Sequence, residues 1–210
     1  MPKNKPNKAE AERVLDEEEE EEEFQEILME ALGKPPELRT MMMFGEVDEE
    51  KSLDLIAGLI MLSDGSPKED GDIEPINFYI STYGGNADDM FALYDMMNVT
   101  KKKCAIATIG LGKVMSAGVL LLAAGSKGMR RIGQHCRIMI HSVAAGNMGD
   151  LHSLQNEMDA IKNLQDEYID ALVENTKMSR KQIKKLLDRK VNVYLSPEEA
   201  VEYGIVDEII

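Results

Sequence analysis

Apolar positions along the chain fall into two patterns, short continuous runs and helical spacings. Thr40-Met41-Met42-Met43-Phe44 is a short apolar strand that ends at Gly45. Asp48 can cap a helix over residues 49–63, where Leu53, Ile56, Leu59, Ile60 and Met61 give an apolar face. A polar loop at 64–74 leads into a buried strand, Ile76–Ile80, which runs into Gly84-Gly85. Asp88–Asn98 is helical through Met90, Phe91, Tyr94 and Met97, and Ala105–Ile109 is a strand. Val114–Ala124 is small and apolar throughout, which suits a helix buried on all sides. Met129–Ile132 and Arg137–Ile140 add two short strands. Strands alternating with helices predict an α/β fold.

The last quarter of the chain reads differently. Leu151, Leu154, Met158, Ile161, Tyr168 and Leu172 recur every three or four positions, with Leu164 or Gln165 between. That spacing predicts one amphipathic helix over 151–176, ~26 residues and ~39 Å long. A helix of that length protrudes from a domain of this size, and its stripe calls for a partner, most simply a second subunit. The alternative is a helix lying across its own domain. Ser179 caps a second helix, Arg180–Leu187, and Val191–Leu195 is extended. Ser196-Pro197-Glu198-Glu199 is a helix start, with Ser at the cap, Pro at the first position and Glu at the third. That helix runs to Tyr203, Gly204 ends it, and Ile205–Val206 is a final strand.

Charge separates a tail from this body. The 210 residues carry a net charge of −15. Residues 1–40 hold 6 basic and 13 acidic residues, including the unbroken run Glu17–Glu23, so nearly half the acid excess sits in the first fifth. A block of like charges stays solvated, which predicts a disordered tail over 1–38 and a folded domain over 39–210. Within the tail, Phe24, Ile27, Leu28 and Leu32 form a short apolar-spaced piece, broken by Gly33-Lys34-Pro35-Pro36. The acid excess argues against a nucleic-acid partner, since no basic surplus exists to release counterions. Two cysteines make neither a disulfide scaffold nor a thiolate cage, and no His or Cys spacing suggests a metal site. No apolar run reaches the ~18 residues that span a bilayer, and the N-terminus has no apolar signal segment. These features predict a soluble, cytoplasmic protein without a metal or cofactor. The 15 methionines read as adaptable core filler.

Three segments can carry chemistry. Ser81-Thr82-Tyr83-Gly84-Gly85 follows a strand, and paired glycines there let the backbone turn and present an N–H. In Gly110-Leu111-Gly112-Lys113-Val114-Met115-Ser116-Ala117-Gly118, a lone Ser stands between a strand and an apolar helix. It is either a nucleophile beside helix amides that favour an oxyanion, or a plain helix cap. Third, Ile138-Met139-Ile140-His141 sets His141 at the end of an apolar strand, where an imidazole can serve as the base a serine needs. His135 lies in a polar turn and His152 at the start of the long helix, so neither is as well placed.

Taken in order, these segments resemble the proteolytic subunit of the Clp protease (ClpP), a serine peptidase of the crotonase-like fold. The resemblance covers about 39–210. Ser81–Gly85 is similar to the family's Asn-Ser-Pro-Gly-Gly loop, Met115-Ser116-Ala117-Gly118 to its nucleophile segment, and Met139-Ile140-His141 to its Met-Ile-His. Tyr194-Leu195-Ser196-Pro197-Glu198-Glu199-Ala200-Val201-Glu202-Tyr203-Gly204 follows its C-terminal signature. The resemblance implies a spiral of β-β-α units with a protruding handle helix at 151–176, joining two heptameric rings into a tetradecamer. It implies Ser116 as nucleophile, His141 as base, and the amides of Gly85 and Ala117 as the oxyanion hole. Gly84, Ala144, Ala145 and Gly146 would meet the substrate, the stretch around Ala144–Gly149 being a strand beside it. A Clp-type AAA+ ATPase would feed unfolded proteins or peptides into the chamber.

The departures are specific. Where the family carries the triad Asp, this chain has Asn192, and the Arg that usually follows is Val193. Asp188, four residues upstream, is the alternative third member. Tyr83 stands for the family's Pro, and Asn77 and Val99 stand where the ATPase-docking surface is often aromatic, although Tyr79 remains. These departures leave room for a second reading, a weakly active or inactive subunit that modifies a mixed ClpP ring. A crotonase-fold acyl-CoA enzyme is disfavoured, because it needs neither Ser116 with His141 nor this C-terminal signature. The tail lies outside the resemblance and reads as a solubilising segment, a removable propeptide, or a charged fringe at the axial pore.

Overall fold

The architecture is built on parallel strands. A computed structural model describes residues 38–64, 73–146, 148–188 and 192–210. The acidic run, the apolar-spaced piece at 24–32, most of the 64–74 loop and Val191 lie outside those residues. Arg39–Ile210 is one compact unit. Among the described residues its seven strands are β1 (Thr40–Val47), β2 (Ile76–Gly85), β3 (Ile106–Met115), β4 (Arg130–Ile132), β5 (Arg137–Ile140), β6 (Val193–Leu195) and β7 (Glu208–Ile209). Its helices are α1 (Glu49–Ser63), α2 (Ala87–Thr100), α3 (Ala117–Ala123), α4 (Leu151–Asn175), α5 (Arg180–Leu187) and α6 (Pro197–Glu202). The sheet runs β1-β2-β3-β4-β7, all parallel.

The sheet forks at β3. Thr108–Gly110 pairs with β4, whereas Lys113–Met115 pairs with β5, again in parallel. Between these partners Gly112 takes a φ of 65°, which a glycine adopts without steric cost. β5 then pairs antiparallel with β6. The fork delivers the ends of β3 and β5 to one place, and the functional site grows there.

Local chemistry accounts for most helix starts. The Asp48 carboxylate accepts from the Lys51 amide at the start of α1. Ser179 and Ser196 each form a reciprocal capping box, with Gln182 and Glu199. α2 begins one turn-step earlier than its spacing suggests, because the Asn86 side chain accepts from the Asp88 and Asp89 amides. α3 is shorter than predicted. Val114 and Met115 belong to β3, and the helix starts at Ala117 with all seven residues buried. The final strand is Glu208–Ile209 and not Ile205–Val206, which are buried in the core. Among the described residues no helix is long and apolar enough to cross a membrane, and no cluster of His, Cys, Asp and Glu is arranged to hold a metal.

A partly buried ion pair ties the end of the chain to the core. The Arg130 guanidinium donates from Nε to Asp207 at 2.9 Å and pairs with it again through Nη2. Its Nη1 donates to the carbonyls of Asn175 at 2.6 Å and Gly204 at 2.8 Å, at the ends of α4 and α6. The hydrogen bonds from the Arg130 side chain hold the Asp207 carboxyl down to about 2, against an ordinary value of 3.8. A carboxyl lowered by folding stabilises the fold above its unfolded pKa, and the gain is lost as pH falls toward the folded one. The pair therefore stabilises the fold near neutral pH, and that contribution fades between about pH 5 and 2. Urea unfolding of wild type and Asp207→Asn across that range should show the two stabilities converging as pH falls. A constant gap between them would contradict this account.

Candidate functional site

The site begins with the backbone of Ser116. Among the described residues it is the single non-glycine with positive φ, at 53°, with ψ −122°. Such a conformation costs of order 1–3 kcal/mol and persists only where surrounding bonds hold it. Here the Ser116 amide donates to the Met139 carbonyl at 2.8 Å, and the Ser116 carbonyl accepts from the Val119 amide at 3.0 Å. Its side chain makes no capping bond to α3. The strand-to-helix turn instead aims the hydroxyl outward, and Ser116 Oγ lies 2.8 Å from His141 Nε2. The Ser116 side chain therefore does not serve as a hydrogen-bonding cap for α3.

Strand register explains the meeting. Lys113, Val114 and Met115 pair with Arg137, Ile138 and Met139. Ser116 and His141 each stand just past the end of their strand, so parallel pairing brings both side chains to the same edge. β6 adds the other neighbour. Ile138, Met139 and Ile140 pair with Leu195, Tyr194 and Val193. The pairing ends there, Asn192 being the residue before Val193 and His141 the residue after Ile140. Asn192 is exposed, and no hydrogen bond joins it to the imidazole. Asp188 caps the end of α5 and borders a separate surface hollow with Arg180, Lys181, Lys184 and Lys185. It makes no bond to His141 either.

The glycine loop closes the site from β2. Gly84 has a φ of 99°, and a Cβ there would lie 2.6 Å from Ser116 Cβ and 3.0 Å from Ser116 Oγ. The Thr82 hydroxyl accepts from the Gly84 amide at 2.9 Å and fixes the turn. Gly85 and Ala117 border a cavity of about 90 Å³ that opens on Ser116 and His141. Its apolar wall comes from Met90 and Phe91 of α2 and from Leu164 and Tyr168 of α4.

Of the other candidates, Ala144 borders the cavity, whereas Ala145 and Gly146 are exposed and outside its lining. The segment after His141 is not a strand. It has no regular structure over 141–146, and the Val143 amide donates to Gln165 Oε1 of α4 at 3.2 Å. Sequence reasoning missed the cavity wall. Met90, Phe91, Leu164 and Tyr168 were legible only as apolar positions on helices, with nothing to distinguish a pocket from a core. Tyr168 also donates from its hydroxyl to the Ser116 carbonyl at 3.1 Å.

The model of the Clp protease family matches residues 20–210. That span contains the forked parallel sheet, the Ser116 turn and the His141 strand end, and the α/β architecture is consistent with the crotonase-like fold of that family. The chain belongs to the Clp protease family.

Proposed function

We propose that this chain is a serine endopeptidase subunit with Ser116 as nucleophile and His141 as general base. One observation carries the reading: a hydroxyl on a held, left-handed strand-to-helix turn lies 2.8 Å from an imidazole nitrogen beside an apolar cavity. Ser116 Oγ attacks the peptide carbonyl while His141 Nε2 takes its proton. The amides of Gly85 and Ala117 receive the oxyanion. The imidazolium returns the proton to the leaving amine, the C–N bond breaks, and an acyl-enzyme remains. Water then attacks with His141 as base again, releasing the acid and restoring Ser116. The apolar walls select a substrate with an apolar side chain next to the scissile bond.

Assembly follows the same reading. Over 151–160 the residues of α4 are exposed, including the apolar Leu151, Leu154 and Met158. We take this part as a handle that joins two heptameric rings in the cytoplasm, with 39–210 as the peptidase unit and 1–38 as an appended tail. A Clp-type ATPase would deliver unfolded protein. A fluorophosphonate should label Ser116, identified by peptide mass spectrometry, and assembled particles should cleave a model peptide. Absence of both in an assembled ring would sink the reading.

A second reading is favoured by one feature. Among the described residues, no carboxylate bonds to His141. An Asn can orient an imidazole but cannot offset the imidazolium charge. In this reading the subunit is weakly active and modulates a mixed ring. Asn192→Asp tests the missing carboxylate: in a peptidase slowed by its Asn it raises kcat/KM at least ~10-fold near neutral pH. No gain, in a protein that also fails to label at Ser116, would favour the modulator.

A further inference from the structure

We infer that Tyr168 is a positioning residue for the Ser116 nucleophile, its hydroxyl holding the Ser116 carbonyl and with it the left-handed turn that presents Oγ to His141. The inference rests on the reading of Ser116 as nucleophile and goes beyond it to name what keeps the serine in place. A φ of 53° on a serine survives only if its peptide groups are tied. Three bonds tie them. Two are main chain to main chain, from β5 and from within α3. The third, from Tyr168, comes from a side chain of α4, which packs against α3 beside the turn.

The environment of Tyr168 suits a permanent donor. The residue is 5% exposed, and burial raises the pKa of its phenol. The hydroxyl therefore stays protonated wherever the protein is folded, and a buried Tyr O–H must find an acceptor. Its single hydrogen bond among the described residues goes to Ser116. The ring meanwhile forms part of the cavity wall. Ring and hydroxyl thus have separable tasks, one facing the cavity and the other holding the nucleophile's backbone. Tyr168 is not a catalytic residue on this account, since its oxygen meets a carbonyl and no reacting atom.

Tyr168→Phe separates the tasks because it keeps the ring and removes one oxygen. The experiment compares wild type and the variant in assembled particles, with peptide kinetics and the rate of fluorophosphonate labelling at Ser116. The expected result is a fall of about tenfold in both kcat and labelling rate, with KM within about twofold and particle mass unchanged. Equal labelling rates in the two proteins would overturn the role of Tyr168 and leave the nucleophile standing. A rise in KM or loss of assembled particle that accounts for the whole effect would assign it to packing and also overturn the proposal. Failure of the wild type to label at Ser116 would remove both readings at once. For a variant that assembles poorly, labelling of the intact fraction isolated by size gives the same comparison.

Discussion

Ser116→Ala is expected to lower peptide cleavage by at least ~10³-fold while the fold and the assembled particle persist. The two halves of this expectation have separate grounds. Ser116 Oγ has one hydrogen-bond partner, His141 Nε2, and none within α3, so its removal strips no helix of a cap. The backbone bonds that hold the turn do not involve the hydroxyl and remain available to Ala. Chemistry, by contrast, loses its attacking atom. What survives is whatever oxyanion stabilisation and binding can do for attack by water. His141→Ala should cost a similar amount, and the double variant little more, because nucleophile and base act as a unit. Fluorogenic peptide cleavage by purified particles checks all three. Retention of more than a tenth of wild-type activity in Ser116→Ala would remove the serine mechanism.

Where local chemistry decides, the sequence was readable. Asp48, Ser179 and Ser196 start their helices as their neighbours require, and Ile76–Ile80 and Arg137–Ile140 lie within the strands their apolar runs indicate. Where a distant strand decides, it was not. Lys113–Met115 looks like the approach to a buried helix, yet it is strand because β5 pairs with it after β4 ends. Nothing in the spacing of small apolar residues encodes that change of partner. Likewise β7 falls at Glu208–Ile209 because it meets β4 there, although Ile205 and Val206 are the more buried residues.

The candidate site divides in the same way. Ser116 and His141 stand out in the sequence because each stands alone at the end of an apolar run, and the fold brings their side chains together. Whether the Ser116 side chain caps α3 was not legible, since a cap and a nucleophile both need a serine at a helix start. The structure shows that it makes no such bond. At the third position, aligned spacing favours Asn192 over Asp188; the pairing of β5 with β6 ends at Ile140 and Val193, and neither candidate bonds to His141. Tyr168 was invisible for a different reason. On a helix stripe a tyrosine counts as one more apolar position, and only its buried hydroxyl, seen against the Ser116 carbonyl, sets it apart.

Gly84→Ala tests the glycine loop from the opposite direction, by adding an atom. The added Cβ would sit 2.6 Å from Ser116 Cβ, 3.0 Å from the Met115 carbonyl oxygen and 3.0 Å from Ser116 Oγ. None of these is the free end of a flexible chain. The turn between β3 and α3 must move, or the loop must, and φ at Gly84 is 99°, a region an alanine rarely adopts. A displacement of about 1 Å at a reacting group can cost ~10²-fold in rate, so cleavage should fall at least that far. Stability should fall too, by about 2 kcal/mol, from overpacking and backbone strain together. Gly133→Ala supplies the comparison. A Cβ there meets Leu111 at 3.4 Å and the Gly110 carbonyl oxygen at 3.6 Å, both ordinary contacts, and its backbone is free of the positive-φ strain. Peptide kinetics and urea unfolding on both variants should therefore separate them widely. Near-equal activity would mean that the Gly84 loop does not need to lie against Ser116, and that the close approach of β2 to the serine has no part in positioning it.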